Sequence, residues 1–279
     1  WVENDPDFGP AIFFGPGGPF ARIAGEMTAA LPPLNAAAAQ AFIAASRHAR
    51  LAAAEGLIDD AATYALAALL VRVSDLVAGA PSIESLTIDG LVTADGRPLA
   101  PIARFAIRPY PARLAATVTA RDGLQYRLRP LRAEDEPGLT QFGQRMTADD
   151  LRLRFFQPMR GLSHELAARL TQIDYDREMA FALFAAEGEN MLAVVRLHRE
   201  TRGDSGEFAI TVRSDMQGRG LGRLLMERIL DYARSQHLKT VFGLVLAENS
   251  GMLRLARDLG FTARSEPGDA TVVRVEIAL

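Results

Sequence analysis

The sequence predicts an α/β (α+β) protein: a mixed central sheet flanked by helices, preceded by a smaller, partial α/β region. Three observations carry that expectation. Residues 207–213 form an apolar strand running into a glycine-rich turn, Gln217-Gly218-Arg219-Gly220-Leu221-Gly222, which opens an amphipathic helix reaching about Gln236. Strand-like and helix-like segments alternate on both sides of that turn, from Tyr126 to Ala278. The first 108 residues differ in character, with Ala-rich helical stretches between short strands and Gly/Pro turns such as Gly15-Pro16-Gly17-Gly18.

The elements follow in order. In the first region, 36–46 and 61–79 have helical composition. The stretch 109–124, with Pro109, Pro111, Asp122 and Gly123, has the composition of a linker. Residues 126–132 alternate as a strand and end in Ala133-Glu134-Asp135-Glu136, an acidic helix start. Residues 179–186 and 191–200 form a hairpin across Glu187-Gly188-Glu189-Asn190. After the glycine turn and its helix come a strand at 240–246, a helix at 249–259 ended by Gly260-Phe261, and a last strand at 272–278.

Composition excludes several chemistries. No cysteine is present, so disulfides, thiolate metal sites and a cysteine nucleophile are ruled out. The four histidines (48, 164, 198 and 237) show no ligand spacing and are read as structural or solvated; no metal is expected. A net charge of −3 gives no global field for nucleic acid. The longest apolar run, 61–71, is too short to span a bilayer, so no membrane association is expected. No signal peptide is visible, which makes a cytoplasmic location the default. The chain opens at Trp1, directly before strand-like residues, and is read as a piece of a longer protein. Lys239 is the single lysine among 31 Lys and Arg residues.

A glycine turn at a helix N-terminus exposes backbone N–H groups where the helix dipole adds positive charge, and pyrophosphate suits such a cradle. The order is not that of an ATP P-loop, and no lysine stands near it. The alternative is a turn that merely packs a helix on a strand. The spacing resembles the Q/R-x-x-G-x-G/A signature of the GNAT acetyltransferases. Asn249-Ser250-Gly251-Met252-Leu253-Arg254-Leu255-Ala256-Arg257-Asp258-Leu259-Gly260-Phe261 also resembles that family's N-x-x-A-x-x-L-Y-x-x-x-G-F. The order of elements from 125 to 279 is the GNAT order. The resemblance implies a GNAT fold there and acetyl-CoA as co-substrate.

Asp5-Pro6-Asp7-Phe8-Gly9-Pro10 and Phe13-Phe14-Gly15-Pro16-Gly17-Gly18 resemble the D-P-x-F-G-P…F-G-x-G-G stretch of ADP-forming acyl-CoA synthetases, and Leu31-Pro32-Pro33-Leu34 fits the same family. That stretch is part of an ATP-grasp domain, whose Mg²⁺ needs oxygen ligands. Thr87-Ile88-Asp89-Gly90-Leu91 stands where the family has D-x-N-P-L. Family carboxylates fall on Arg22 and near Ile102, leaving Asp89 alone. Residues 1–108 are therefore expected to be a degenerate ATP-grasp remnant, 109–124 a linker, and 125–279 the transferase domain. The tandem resembles the Pat-type bacterial protein lysine acetyltransferases. It implies a protein partner with an exposed lysine, an acyl-CoA synthetase foremost.

The transfer chemistry names candidates. An acceptor amine must lose a proton before attacking a thioester, so a base is required. Glu207, on the strand entering the turn, is the candidate, and Phe208, Ala209 and Ile210 are expected to desolvate its carboxylate. Pat-type enzymes carry a catalytic glutamate in a similar E-F/Y-A-I-x-V-R-S-D stretch. The alternative is a glutamate facing solvent on an edge strand. Backbone groups of Ile210 and Val212 are expected to pair with the pantetheine arm, one N–H polarising the thioester carbonyl. Gln217, Gly218, Arg219, Gly220, Leu221, Gly222 and Arg223 are expected around the pyrophosphate, although helix-face arginines are commonly just solvated. Asn249 would reach the pantetheine amide, or act as a helix N-cap. The family tyrosine that protonates the leaving thiolate falls at Ala256, so the acid role has no candidate. Acceptor recognition falls to 140–178. There, residues 149–156 mix charge with aromatics, and Asp174, Asp176 and Glu178 could attract a lysine-bearing loop. Three rivals stand beside the protein lysine acetyltransferase reading: a GNAT enzyme for small amines, a non-catalytic acyl-CoA-sensing module, and an active ADP-forming synthetase, which Arg22 and Thr87 disfavour.

Overall fold

A computed structural model describes residues 1–5, 8–17, 27–92, 98–200 and 203–279, with side chains omitted at 90–92 and 98–101. Pro6, Asp7, Gly18 and Arg22, named above for the synthetase resemblance, lie outside the described residues. The chain divides into two compact units, Trp1–Pro109 and Tyr110–Leu279.

In the first unit, β1 (Val2–Asp5), β2 (Gly9–Phe14) and β3 (Thr28–Ala30) precede α1 (Ala36–Ala45), α2 (Arg47–Ala54) and α3 (Asp60–Gly79). Strands β4 (Ile83–Val92) and β5 (Pro98–Ile107) complete an antiparallel sheet of order β3-β2-β1-β4-β5. Val2, Ile12, Phe42, Ile43, Leu70 and Leu86 form its core. Asn35, Ser46 and Asp59 cap the three helices by accepting the N–H three residues on. Helix α3 has 20 residues and is long and apolar enough to cross a membrane by length and composition, which the run 61–71 alone underestimates. Its Ala67, Leu70 and Val77 pack into the unit's core, and the Ser74 hydroxyl accepts from Leu34 N–H at 2.6 Å. Asp89 pairs in register with Ile102, and Arg104 Nη1 stands 3.6 Å from its carboxylate. The single candidate carboxylate for a metal thus faces a guanidinium.

The second unit starts earlier than the composition of 109–124 suggests. Residues 110–124 are a folded part of it, not a linker. Tyr110 donates its hydroxyl to Pro130 O at 2.9 Å, a 3₁₀ turn follows at Ala112–Leu114, and β6 (Ala116–Thr119) pairs with β7 (Gln125–Pro130). Arg228 holds Leu114 O at 3.1 Å, and Ala120 is buried. A short edge strand exposed on most of its length carries no apolar alternation, so composition resembles that of a linker.

Next come α4 (Glu136–Gln144), α5 (Ala148–Phe155), α6 (His164–Thr171), β8 (Glu178–Ala185), β9 (Met191–Arg199) and β10 (Ser205–Val212). Then follow α7 (Leu221–Ser235), β11 (Thr240–Leu246), α8 (Ser250–Asp258), β12 (Thr262–Glu266) and β13 (Asp269–Ala278). The eight strands lie in the order β12-β13-β11-β10-β9-β8-β7-β6. Only β10 and β11 are parallel among the described pairs, with α7 as their crossover. Both faces of this sheet are covered, which explains the continuous apolar runs of β8 and β9. Met179, Phe181 and Leu183 face a core with Leu225, Met226 and Ile229 of α7. Ala180, Ala182 and Phe184 face the opposite core with Leu139, Phe142 and Leu151.

A buried ion pair fixes the passage from β7 into α4. Arg129 grips Asp135 with two bonds of 2.7 Å and stacks 4.2 Å over Phe184, while Asp135 also accepts from Arg132 N–H at 2.9 Å. Hydrogen bonding to Asp135 holds the Arg129 guanidinium well above its usual range. Breaking a buried pair strands the remaining charge, so Asp135→Ala is expected to lower this unit's unfolding free energy by about 3–5 kcal/mol. Urea denaturation reads that directly. Asp231→Ala, which removes the exposed pair with Arg234, should leave the midpoint unmoved.

Candidate active site

The site is made where β10 and β11 part. Their register ends at Glu207↔Phe242, whereas β10 continues to pair with β9 as far as Val212↔Ala193. Arg213 N–H donates to Leu192 O at 2.9 Å, so at period two Thr211, Ala209 and Glu207 turn their peptide groups toward β9. Ile210 and Val212 turn theirs to the other edge, which β11 has left. A packing detail accompanies the parting: a Cβ on Gly243 of β11 would stand 2.6 Å from the buried Phe208 ring. That ring also packs edge-on against Phe261 at 5.4 Å. Only glycine lets Phe208 sit against β11 there.

The turn after β10 is pinned from both sides. Arg213, buried, binds Asp215 at 2.5 and 3.0 Å, and the pair holds the Asp215 carboxyl below its usual range. Asp150 of α5 accepts from Thr147 Oγ1 at 2.7 Å, from Gln217 Nε2 at 3.0 Å, and from Ser214 Oγ. Burial pushes the Asp150 carboxyl up, but these three hydrogen bonds outweigh it and hold it below the carboxylate range. The tie is therefore fully present above the ordinary aspartate pKa and is lost as pH falls through the lowered value. Asp150→Ala is expected to weaken the binding of an anionic ligand at the turn several-fold, because it frees the turn from α5; titration calorimetry would show it.

Gly218 and Gly220 take φ of 77° and 83°, which side chains rarely adopt. Gly220 opens α7 without a side-chain cap, in contrast to the capped α5, α6 and α8. The first N–H groups of α7 are thus left for a ligand, and an anion suits them. Arg121, at the β6–β7 turn, lies over Gly220 with its Cβ 3.2 Å from where a Gly220 Cβ would be. Arg219 lies beside the Tyr126 hydroxyl and Asp122. Arg223 bonds Glu227 at 2.8 Å along its own helix.

A cavity of about 1150 Å³ joins these parts. Glu207, Ile210, Val212, the whole turn 217–223 and Asn249 all line it. Asn249 is the N-cap of α8, accepting from Met252 N–H at 3.0 Å, so one of its two expected roles is occupied by its oxygen. Ala256 is buried, and no tyrosine, cysteine or histidine is among the described lining residues.

Glu207 differs from expectation in one respect. It is exposed, because alternation along the strand sends its neighbour Phe208 to the opposite face, into the core. Its sequence neighbours therefore do not enclose it. His198 stands opposite it on β9, and Glu178 is opposite His198 on β8. Arg154 of α5 lines the same end of the cavity. Asp150, Arg154 and Arg121 also line the cavity, and no local motif in the sequence marks them as site residues. The mixed charge and aromatics of 149–156 were the only signal, and they equally fit an ordinary amphipathic helix.

An uncapped glycine turn beside an opened strand edge defines a cleft for an extended anionic ligand. Comparisons with known proteins narrow the class. The profile of the acetyltransferase (GNAT) domain matches residues 125–262, and that of an ATP-grasp domain matches residues 1–107. An acetyltransferase of Pseudomonas aeruginosa is 33% identical over 160 residues, spanning 57% of this chain and 86% of that protein. The crystal structure of the GNAT domain of S. lividans PAT is 30% identical with a TM-score of 0.57, covering 61% of this chain and all of that one. The chain belongs to the GNAT acetyltransferase family, and it is a GNAT N-acetyltransferase. Enzymes of this family use acetyl-CoA.

Proposed function

We propose that this chain is a protein lysine N-acetyltransferase, with Glu207 as general base, and that it modifies metabolic enzymes such as acyl-CoA synthetases. The observation that carries the reading is the parting of β10 from β11 with Glu207 at its vertex and the glycine turn at its far end. Acetyl-CoA supplies the acetyl group as a thioester. Gly218 to Gly222 and the N-terminus of α7 hold the pyrophosphate, with Arg121 and Arg219 beside them. Ile210 and Val212 hold the pantetheine arm by backbone hydrogen bonds, and one of their N–H groups polarises the thioester carbonyl. Glu207 takes the proton of the acceptor amine, directly or through water, so that a neutral nitrogen attacks. Water protonates the thiolate in this reading, since no tyrosine, cysteine or histidine is among the described lining residues.

Support for a protein acceptor comes from the likeness to the S. lividans PAT domain and from the ATP-grasp match preceding the transferase domain in the same chain. The reading carries a cytoplasmic location and treats residues 1–108 as a remnant without ligase activity. The test is CoA release and lysine acetylation with an acyl-CoA synthetase as acceptor. Release with a panel of small amines but not with the protein would favour the small-amine reading. Acetyl-CoA binding without release to any acceptor would favour a sensor.

A further inference from the structure

Arg154 is a cation set at the Glu207 end of the cavity, within electrostatic range of Glu207 and Glu178 but bonded to neither among the described residues. It lines the space with Glu207, and its guanidinium makes no hydrogen bond or ion pair among the described residues. The guanidinium lies over the Phe155 ring, 4.8 Å from its centroid. Arg196, its cationic neighbour, is satisfied by Glu178 and by Leu170 O. Burial and the charge of Arg196 push the Arg154 guanidinium down to about 10, with Glu207 and Glu178 acting against them. It therefore stays charged at neutral pH. A largely enclosed charge that no carboxylate touches is costly, and a ligand that brings the opposite charge into contact recovers the cost.

Asp150, one turn earlier on α5, holds Gln217, but the charges acting on Arg154 are Arg196, Glu207 and Glu178, which sets its head group at the Glu207 end and not beside the phosphates of the co-substrate. Glu207 and Val212 are five residues apart on an extended strand, roughly 17 Å at about 3.3 Å per residue, and the glycine turn begins beyond Val212. What reaches Arg154 must come with the acceptor. We propose that Arg154 receives a carboxylate carried by the acceptor, so that the site selects amines with an acidic neighbour over polycations. The carboxylate has two sources of the same chemistry, an Asp or Glu flanking a target lysine, or the α-carboxylate of a free amino acid. Guanidinium and carboxylate match in a two-bond geometry, which an ammonium group only partly reproduces.

The inference rests on the acetyltransferase reading, and its test separates the two. Acceptors are a lysine peptide flanked by aspartates, the same peptide flanked by arginines, free lysine, and spermidine. The wild type is expected to favour the acidic peptide over the basic one by roughly 10- to 100-fold in kcat/KM, chiefly through KM. Arg154→Gln should erase the preference, Arg154→Lys should keep most of it, and Arg154→Glu should invert it. Free lysine joining the favoured group would place the α-carboxylate on Arg154; its exclusion would place the flanking side chain there. Equal use of both peptides by the wild type overturns the inference. So does a uniform fall in kcat in Arg154→Gln with the charge preference intact, which would mean that Arg154 serves Glu207 alone. If no acceptor is turned over, the acetyltransferase reading fails. Calorimetric binding of the two peptides to the CoA-loaded protein then still decides: a difference lost in Arg154→Gln supports the inference, and equal binding overturns it.

Discussion

Glu207→Gln is expected to lower kcat/KM for lysine acceptors by about 10²–10⁴-fold while leaving acetyl-CoA affinity unchanged. The loss has a simple origin. With a pKa near ~10.4, only about one lysine amine in a thousand is neutral at pH 7.4. Glutamine keeps the shape of the side chain but cannot accept the proton, so the ammonium form no longer enters productively. The affinity should hold because Glu207 stands at the vertex of the parted strands, away from the glycine turn. An acceptor amine with a pKa near 7 should suffer far less, since it arrives neutral. Steady-state kinetics with both amines, and calorimetry for acetyl-CoA, read the two halves separately. A variant as active as the wild type would make Glu207 a solvent-facing strand residue. Its exposure suits the proton's onward path, because water reaches the carboxylate through the cavity.

The second large effect is expected at Gly220. Gly220→Val should weaken acetyl-CoA binding at least 100-fold with little loss of fold. At φ 83° a side chain costs roughly 1–2 kcal/mol, and more when β-branched. A Cβ there would also press on Arg121 Cβ, Cγ and Cδ at 3.2–3.3 Å. The turn must then open or rotate, which re-aims the first N–H groups of α7. The helix itself is held by Leu225, Met226, Ile229 and Ala233, all buried, so the thermal midpoint should move only a few degrees. Gly138→Ala is the control: its Cβ would enter open space on α4. Calorimetric affinity unchanged in Gly220→Val would place the pyrophosphate elsewhere.

What sequence revealed, and what it missed, follows from the range of the forces involved. The glycine turn was legible because positive φ is a local demand that few residues meet. The β8–β9 hairpin was legible because a sheet covered on both faces needs unbroken apolar strands. The N-cap at Asn249 was one of two local readings, and the oxygen is occupied by it. Strands β6 and β12 left no pattern: both lie at sheet margins, largely exposed, so no core imposes alternation on them. The environment of Glu207 is not legible in the sequence, because neighbours along a strand point to opposite faces. Asp150, Arg121 and Arg154 owe their positions to contacts far along the chain. Gln217 is bound by a residue 67 positions earlier, a relation no local window contains.

The opened edge of β10 also bears on the protein's behaviour in company. Unpaired peptide groups along a strand are a template for any other extended chain, and at an outer sheet margin they invite stacking of one molecule on the next. Here the vacant rung lies in the interior of an eight-stranded order, between β10 and the diverging β11, and is recessed in a cavity. A neighbouring molecule's flat sheet cannot align with it, whereas a thin flexible chain can thread in. Recognition of an extended ligand is thereby gained without exposing the fold to self-association.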